Sequence, residues 1–104
     1  MGLLSFLGLG KGKLKTALQN GAVIIDVRTV HEFDQGKIPG SINIPLDKLA
    51  ANLGRIKAID KPIIICCASG MRSSHAIVNL KRHGVSNLYN GGSWVSLLKL
   101  KNNL

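Results

Sequence analysis

The stretch that decides the fold is Ile63-Ile64-Ile65-Cys66-Cys67-Ala68-Ser69-Gly70-Met71-Arg72-Ser73. It begins with a run of β-branched residues, which is typical of a parallel strand buried on both faces of a sheet. Apolar residues then recur at helical spacing between 76 and 80, and Gly84 can end that helix. The stretch therefore predicts a buried strand, a short loop and a helix, with Cys67 delivered to the carboxyl edge of the sheet.

The same alternation continues on both sides of this unit. Apolar runs predict further strands over 22–25, 41–44 and 85–89. Helical spacing predicts helices over 14–20 and 46–53, with Gly54 ending the second, and a last helix that opens at Gly91 and carries Trp94. We therefore expect an α/β architecture in which helices cover both faces of a mainly parallel sheet.

Length and hydropathy indicate one small domain. The chain has 104 residues, 45% of them hydrophobic, which is enough apolar material for a single core. We expect the domain to occupy 13–104, and we treat 1–12 as an N-terminal extension that fits a tail, a packed helix or a surface anchor. No apolar run approaches the roughly 20 residues of a membrane span and no signal peptide is evident, so we expect a cytoplasmic protein.

The charge balance is strongly basic. There are 14 Lys and Arg residues against 5 Asp and Glu residues, a formal charge of +9. Such a balance suits nucleic acid, an anionic membrane or a small anionic substrate. Aromatic residues make up only 4% of the chain, which argues against stacking on single strands, so we expect no nucleic-acid partner. The cluster Lys11, Lys13 and Lys15 is interpreted as a solvated helix face in preference to an anion-binding site.

The cysteines and histidines predict neither a disulfide nor a metal site. Cys66 and Cys67 are adjacent, and neighbouring residues hardly reach ordinary disulfide geometry. His31, His75 and His83 are dispersed without the spacing of zinc ligands. We expect no metal and no organic cofactor, and we interpret His75 as a helix-surface residue.

The loop after the buried strand has the features of an activated nucleophile. A strand, a loop and a helix N-terminus aim several backbone N–H groups at one point, where a thiolate is favoured over a thiol. Gly70 allows the backbone to approach closely, Arg72 can hold an oxyanion, and Ser73 can donate from the first helical turn. The plainer interpretation is a buried cysteine before an ordinary turn.

Two registers compete for the nucleophile. Counting from Cys66 gives the spacing of the protein-phosphatase motif, but there the glycine falls four places on, at Gly70, where that motif has it at three. Counting from Cys67 gives a tighter loop with the glycine at three. Such a loop suits one sulfur atom and is cramped around a tetrahedral phosphate. Cys67 is the better candidate, and a cysteine-dependent phosphatase or arsenate reductase is the alternative.

Four segments together resemble the single-domain rhodaneses, the thiosulfate sulfurtransferase family. They are Ile25-Asp26-Val27-Arg28 with Glu32-Phe33, the run from Gly36 to Pro45, the loop from Cys67 to Ser73, and Gly91-Gly92 with Trp94. The resemblance implies a three-layer sandwich over 13–104. It further implies that Cys67 carries a persulfide cradled by the N–H groups of 68–72, that the substrate site comprises Ala68, Ser69, Gly70, Met71, Arg72 and Ser73, and that Arg72 helps hold the anionic donor.

The resemblance also assigns roles away from the loop. It implies a structural role for Asp26 and Arg28, with Glu32 joining their network. Two features depart from the family pattern: Lys37 replaces the usual histidine, and the usual first strand is missing or replaced by 1–12.

The function implied is transfer of sulfur from thiosulfate, or from another persulfide donor, to a thiophilic acceptor. The expected partners are a small anionic donor such as thiosulfate and a protein sulfur donor or acceptor. A non-catalytic sulfur-relay or interaction module is a third interpretation.

Overall fold

The computed structural model describes the backbone of residues 2–104 and the side chains of residues 11–104. Four strands form one sheet in the order β2-β1-β3-β4, and every pairing is parallel. Their bounds are β1 Val23–Asp26, β2 Ile42–Asn43, β3 Ile63–Cys67 and β4 Leu88–Ser93. The predicted parallel sheet is confirmed, with the longest apolar run forming a central strand.

Within residues 2–104, five α-helices accompany the sheet: α1 Gly2–Gln19, α2 Val30–Gln35, α3 Leu53–Lys57, α4 Met71–Arg82 and α5 Trp94–Asn102. Two 3-10 turns, Leu46–Lys48 and Ala50–Asn52, precede α3. Among the described residues, none of these helices combines the length and the apolar character that crossing a bilayer requires.

The side chains of the central strands alternate between two cores. Ile63 and Ile65 of β3 pack into a cluster that includes Ile56 of α3 and Leu80 of α4. Ile64 packs on the other face in a cluster with Ala17 of α1 and Leu97 of α5. Burying an isoleucine contributes about 1.5–3 kcal/mol, so both faces of the sheet stabilise the domain. The predicted three-layer sandwich is confirmed.

The first helix is longer than the sequence predicts. The prediction begins it at residue 14, whereas α1 begins at Gly2. Its last turns pack on the sheet through the buried Ala17. Met1 and the side chains of 2–10 lie outside the described residues. The prediction of a tail, a packed helix or a surface anchor for 1–12 falls largely on these residues. Within residues 2–104, no strand precedes β1.

The predicted helix over 46–53 is wrong in detail. This segment forms two 3-10 turns, and Gly54, predicted to end a helix, lies inside α3. Leu49 is nevertheless buried, as the apolar spacing requires. An i, i+3 repeat puts side chains on one side of both helix types, so the pattern does not separate them.

The last strand is displaced from its predicted position. The prediction places it over 85–89 and opens a helix at Gly91, whereas β4 runs to Ser93. A bulge shifts the register, because Ile65 pairs with Asn90 and Cys66 pairs with Gly92. A Cβ on Gly91 would lie 2.7 Å from Ile64 Cγ2, so the absence of a side chain at Gly91 allows close packing here.

Candidate active site

The loop from Ala68 to Gly70 joins the end of β3 to the first turn of α4, as the sequence predicts. Cys67 is the last residue of the strand, one place later than predicted. Gly70 has a φ of +98°, a left-handed conformation that residues with a Cβ rarely adopt. A Cβ there would lie 3.4 Å from the Cα of Gly92. Glycine therefore allows the tight turn that brings the helix N-terminus over Cys67.

The sulfur of Cys67 lies at the focus of this turn. The backbone N–H groups of Gly70 and Ser73 donate to Sγ over 2.9 and 3.4 Å. The Ser73 hydroxyl lies 3.6 Å from the same sulfur. Burial acts to raise the pKa of this thiol, but the N–H groups of Ser73, Gly70 and Ser69 and the Ser73 hydroxyl together lower it. The net pKa lies below that of an ordinary cysteine, as a nucleophile requires.

Cys66 has the opposite electrostatic environment. Its side chain packs in the apolar cluster of α1 and α5, on the face of the sheet away from the Cys67 cluster. Burial, with the neighbouring negative charge of Asp26, raises the pKa of Cys66 to about 12. The geometry therefore favours Cys67 over Cys66 as the nucleophile.

A hydrogen-bonded network connects Asn90 of β4 to the loop that follows β3. The Ser73 hydroxyl lies 2.9 Å from the Gly70 carbonyl and 2.7 Å from Asn90 Oδ1. Asn90 Oδ1 also accepts from the N–H of Gly92, and its Nδ2 donates to Ser74. Asn90 therefore links the bulged strand to the hydroxyl nearest to Cys67. The sequence analysis missed Asn90, whose one signal was its position before Gly91-Gly92.

The guanidinium of Arg72 forms an ion pair with Glu32. Its Nη1 and Nη2 donate to Glu32 Oε1 and Oε2 over 2.6 and 2.9 Å. Arg72 and then the Thr29 backbone hold the pKa of Glu32 down at about 2, and the same ion pair raises the pKa of Arg72. The resemblance implied that Arg72 holds the donor, but the structure engages it with a carboxylate of this chain.

The pair Asp26 and Arg28 is buried at the end of β1. Arg28 donates to the carboxylate of Asp26 through its backbone N–H, Nε and Nη2. Its guanidinium also donates to the carbonyls of Glu32 and Gly36, and Trp94 lies 4.8 Å above it. This geometry suits the structural role that the resemblance implies. Glu32 joins this network only through its carbonyl.

The remaining predicted site residues lie at the surface. Ala68 and Ser69 are exposed, and the Met71 side chain is 71% exposed at the start of α4. His75 is exposed, as predicted, and Lys37 lies 4.9 Å from the ring of Phe33. Among the described residues, no group of three His, Cys, Asp or Glu side chains could hold a metal ion.

Comparison with known proteins agrees with this geometry. The sequence profile of the rhodanese-like domain family matches residues 11–96. The chain is 38% identical over 84 residues to the uncharacterized protein YqhL of Bacillus subtilis, an alignment covering 77% of this chain and 66% of YqhL. It is 31% identical over 71 residues to the thiosulfate sulfurtransferase GlpE of Pseudomonas savastanoi, covering 68% of this chain and 66% of GlpE. The chain thus spans slightly under two thirds of the length of these relatives.

A solved structure shows the same fold. The rhodanese-related protein of Thermoplasma volcanium superimposes with a TM-score of 0.69 at 30% identity, covering 86% of this chain and 87% of that protein. The resemblance carried by the four sequence segments is thereby confirmed. The chain belongs to the rhodanese-like domain family.

Proposed function

We propose that this protein is a sulfurtransferase that takes the outer sulfur of a donor onto Cys67 and passes it to a thiophilic acceptor. One observation carries the proposal: the Sγ of Cys67 receives N–H groups from Gly70 and Ser73 and has a lowered pKa. Preorganised N–H dipoles around the sulfur favour the thiolate over the thiol, and a lowered pKa increases the fraction of this nucleophilic form. Family membership supports the sulfurtransferase class.

The first half-reaction loads the cysteine. The Cys67 thiolate attacks the outer sulfur of thiosulfate or of a persulfide R–S–SH. The sulfur–sulfur bond of the donor breaks, and sulfite or the thiolate R–S⁻ leaves with the bonding electron pair. The family resemblance implies that the backbone N–H groups from Ala68 to Arg72 cradle the terminal sulfur, and there they stabilise its charge.

The second half-reaction reverses this sequence. An acceptor thiolate, cyanide or a protein cysteine attacks the outer sulfur of the Cys67 persulfide. The Cys67 thiolate leaves, and the donors that favoured it in the free protein favour it again as a leaving group. No external oxidant or reductant is needed, because one sulfur atom passes from nucleophile to nucleophile and each leaving group keeps the electron pair of the broken bond.

Intact mass measurement tests this proposal. The parent protein, Cys66→Ser and Cys67→Ser are incubated with thiosulfate and, separately, with cysteine persulfide, and each is then reduced. We expect one reducible sulfur on the parent and on Cys66→Ser, and none on Cys67→Ser. An unmodified parent with both donors would contradict the proposal and direct attention to phosphate esters as substrates.

Turnover separates an enzyme from a relay module. If Cys67 loads but small thiols and cyanide do not discharge it, the chain delivers sulfur only to a docked protein.

The domain limits of 13–104 and the cytoplasmic location belong to the same proposal. Expression of the truncated chain tests the limits, and cell fractionation tests the location.

A further inference from the structure

The positive charge in the segment that follows β3 is paired with a carboxylate of the same chain. Between Ala68 and Ser73 the sequence contains one charged side chain, Arg72. Both of its terminal nitrogens donate to the carboxylate of Glu32, 40 positions earlier in the chain. This is a two-point ion pair, the strong geometry for a guanidinium and a carboxylate. Its two side chains are each about one third exposed, so the pair is partly accessible to solvent.

Glu32 is held in place independently of Arg72. It is the third residue of a capping box at the start of α2, where its side chain accepts from the backbone N–H and the hydroxyl of Thr29, each over 3.1 Å. Its carboxylate is ionised at neutral pH, because Arg72 first and then the Thr29 backbone hold its pKa at about 2. The negative charge facing Arg72 is therefore a fixed part of the fold.

This arrangement affects the two classes of donor differently. Thiosulfate brings two negative charges and loses hydration on binding, which a free guanidinium offsets best. The reacting end of a persulfide R–S–SH carries at most one charge, which the loop N–H groups can hold. The largely exposed Met71 side chain offers the carrier group R an apolar, polarisable contact at the start of α4.

We infer that Glu32 is a specificity-determining residue that, by occupying Arg72, directs this site towards thiol persulfides and away from thiosulfate. The inference rests on the proposed sulfur transfer to Cys67. In the favoured reaction the Cys67 thiolate attacks the outer sulfur of R–S–SH, forms Cys67–S–SH and releases R–S⁻. Glu32 acts through Arg72 and is a positioning residue.

Rates of sulfur loading test this role. In a Cys66→Ser background, second-order rate constants for loading Cys67 are measured by quenched intact mass, with thiosulfate and with cysteine persulfide. Glu32→Gln keeps an oxygen for the capping box but removes the charge that holds Arg72. We expect it to raise the thiosulfate rate constant about tenfold while changing the persulfide rate constant less than about twofold. The readout is the ratio of the thiosulfate rate constant to the persulfide rate constant, compared between variant and parent, because the two donors differ in intrinsic reactivity.

Two further variants separate this role from general effects. Asp34→Asn makes the same change in net charge on the same helix, and we expect it to leave the donor ratio unchanged. Glu32→Gln combined with Arg72→Gln should lose the gain, because the freed guanidinium is absent. Thermal unfolding of each variant shows that it is folded at the assay temperature.

The outcomes are distinct. An unchanged donor ratio in Glu32→Gln, or an equal gain in Asp34→Asn, overturns the inference while the proposed function stands. Loading of Cys67 by neither donor in any variant overturns the proposed function and this inference with it. A gain for thiosulfate alone, abolished by the Arg72 substitution, supports both.

Discussion

The backbone N–H of Gly70 donates to the Sγ of Cys67 over 2.9 Å, from a residue whose φ is +98°. This bond joins local backbone geometry to the chemistry of the site. A residue with a side chain at position 70 would have to adopt this strained φ. Its Cβ would also contact the Cα of Gly92 in β4 at 3.4 Å. The reactivity of Cys67 therefore depends on a turn that glycine favours.

Gly70→Ala tests this dependence. We expect the rate of Cys67 loading to fall at least about tenfold, because a shift of the N–H away from Sγ weakens thiolate stabilisation. Gly84→Ala is the matched control. Gly84 has a similar φ of +84° but open space around it, remote in sequence from the loop. Both variants should lose about 1 kcal/mol of stability, and only the first should lose activity. Equal loss of activity in both would contradict this account.

The two cysteines should respond differently to pH. We expect alkylation of Cys66→Ser by iodoacetamide to rise through a pKa below 9.0, because the thiolate is the reactive form and the N–H groups favour it. Alkylation of Cys67→Ser should stay slow up to about pH 10, because burial raises the pKa of Cys66 to about 12. Mass spectrometry of quenched samples measures both rates. A faster rate at Cys66 at neutral pH would contradict the assignment.

The Ser73 hydroxyl should tune the thiol without being essential. Ser73→Ala removes the hydroxyl 3.6 Å from Sγ but keeps the backbone N–H at 3.4 Å. We expect the pKa of Cys67 to rise and its loading at pH 7 to slow by roughly threefold to tenfold. Ser74→Ala is the control, because it removes a hydroxyl from the same turn of α4 that bonds to the Gly70 carbonyl and to Asn90 but not to Sγ. The measurement is the alkylation pH profile, and an unchanged pKa in Ser73→Ala would refute this role.

The buried pair at the end of β1 should govern stability. Asp26→Asn leaves the charge of Arg28 buried without its carboxylate, which costs about 3 kcal/mol. Urea unfolding followed by the fluorescence of Trp94, which stacks on Arg28, measures the change. Asp34→Asn on α2 should change the free energy of unfolding by less than about 0.5 kcal/mol. Similar midpoints for the two variants would exclude a buried structural pair.

Local sequence patterns were sufficient for the central unit of the fold. The run Ile63 to Cys66 is typical of a doubly buried strand, and the helical spacing after it places the loop with its glycine between the two. The displaced strand β4 shows where such patterns fail. Tyr89 continues an apolar run, but Gly91 extends the strand because its missing side chain makes room for Ile64 and Leu97, which is a tertiary effect.

The candidate site was predictable only where its residues are neighbours in the chain. Cys67, Gly70 and Ser73 follow from one loop and one helix start. The ion pair between Arg72 and Glu32 joins residues 40 positions apart, and Asn90 reaches Ser73 from another strand. Contacts of this kind depend on how α2 and β4 dock, and spacing in a single sequence does not encode them.

The most direct test locates the added sulfur between the two adjacent cysteines in the unaltered chain. After brief exposure to cysteine persulfide, free and persulfide thiols are capped with iodoacetamide and the protein is cleaved with trypsin. Tandem mass spectrometry of the peptide 58–72, which contains both cysteines, then separates Cys66 from Cys67. We predict one extra sulfur on Cys67 and a plain capped or free thiol at Cys66. An extra sulfur on Cys66, or on neither cysteine, would contradict the central claim.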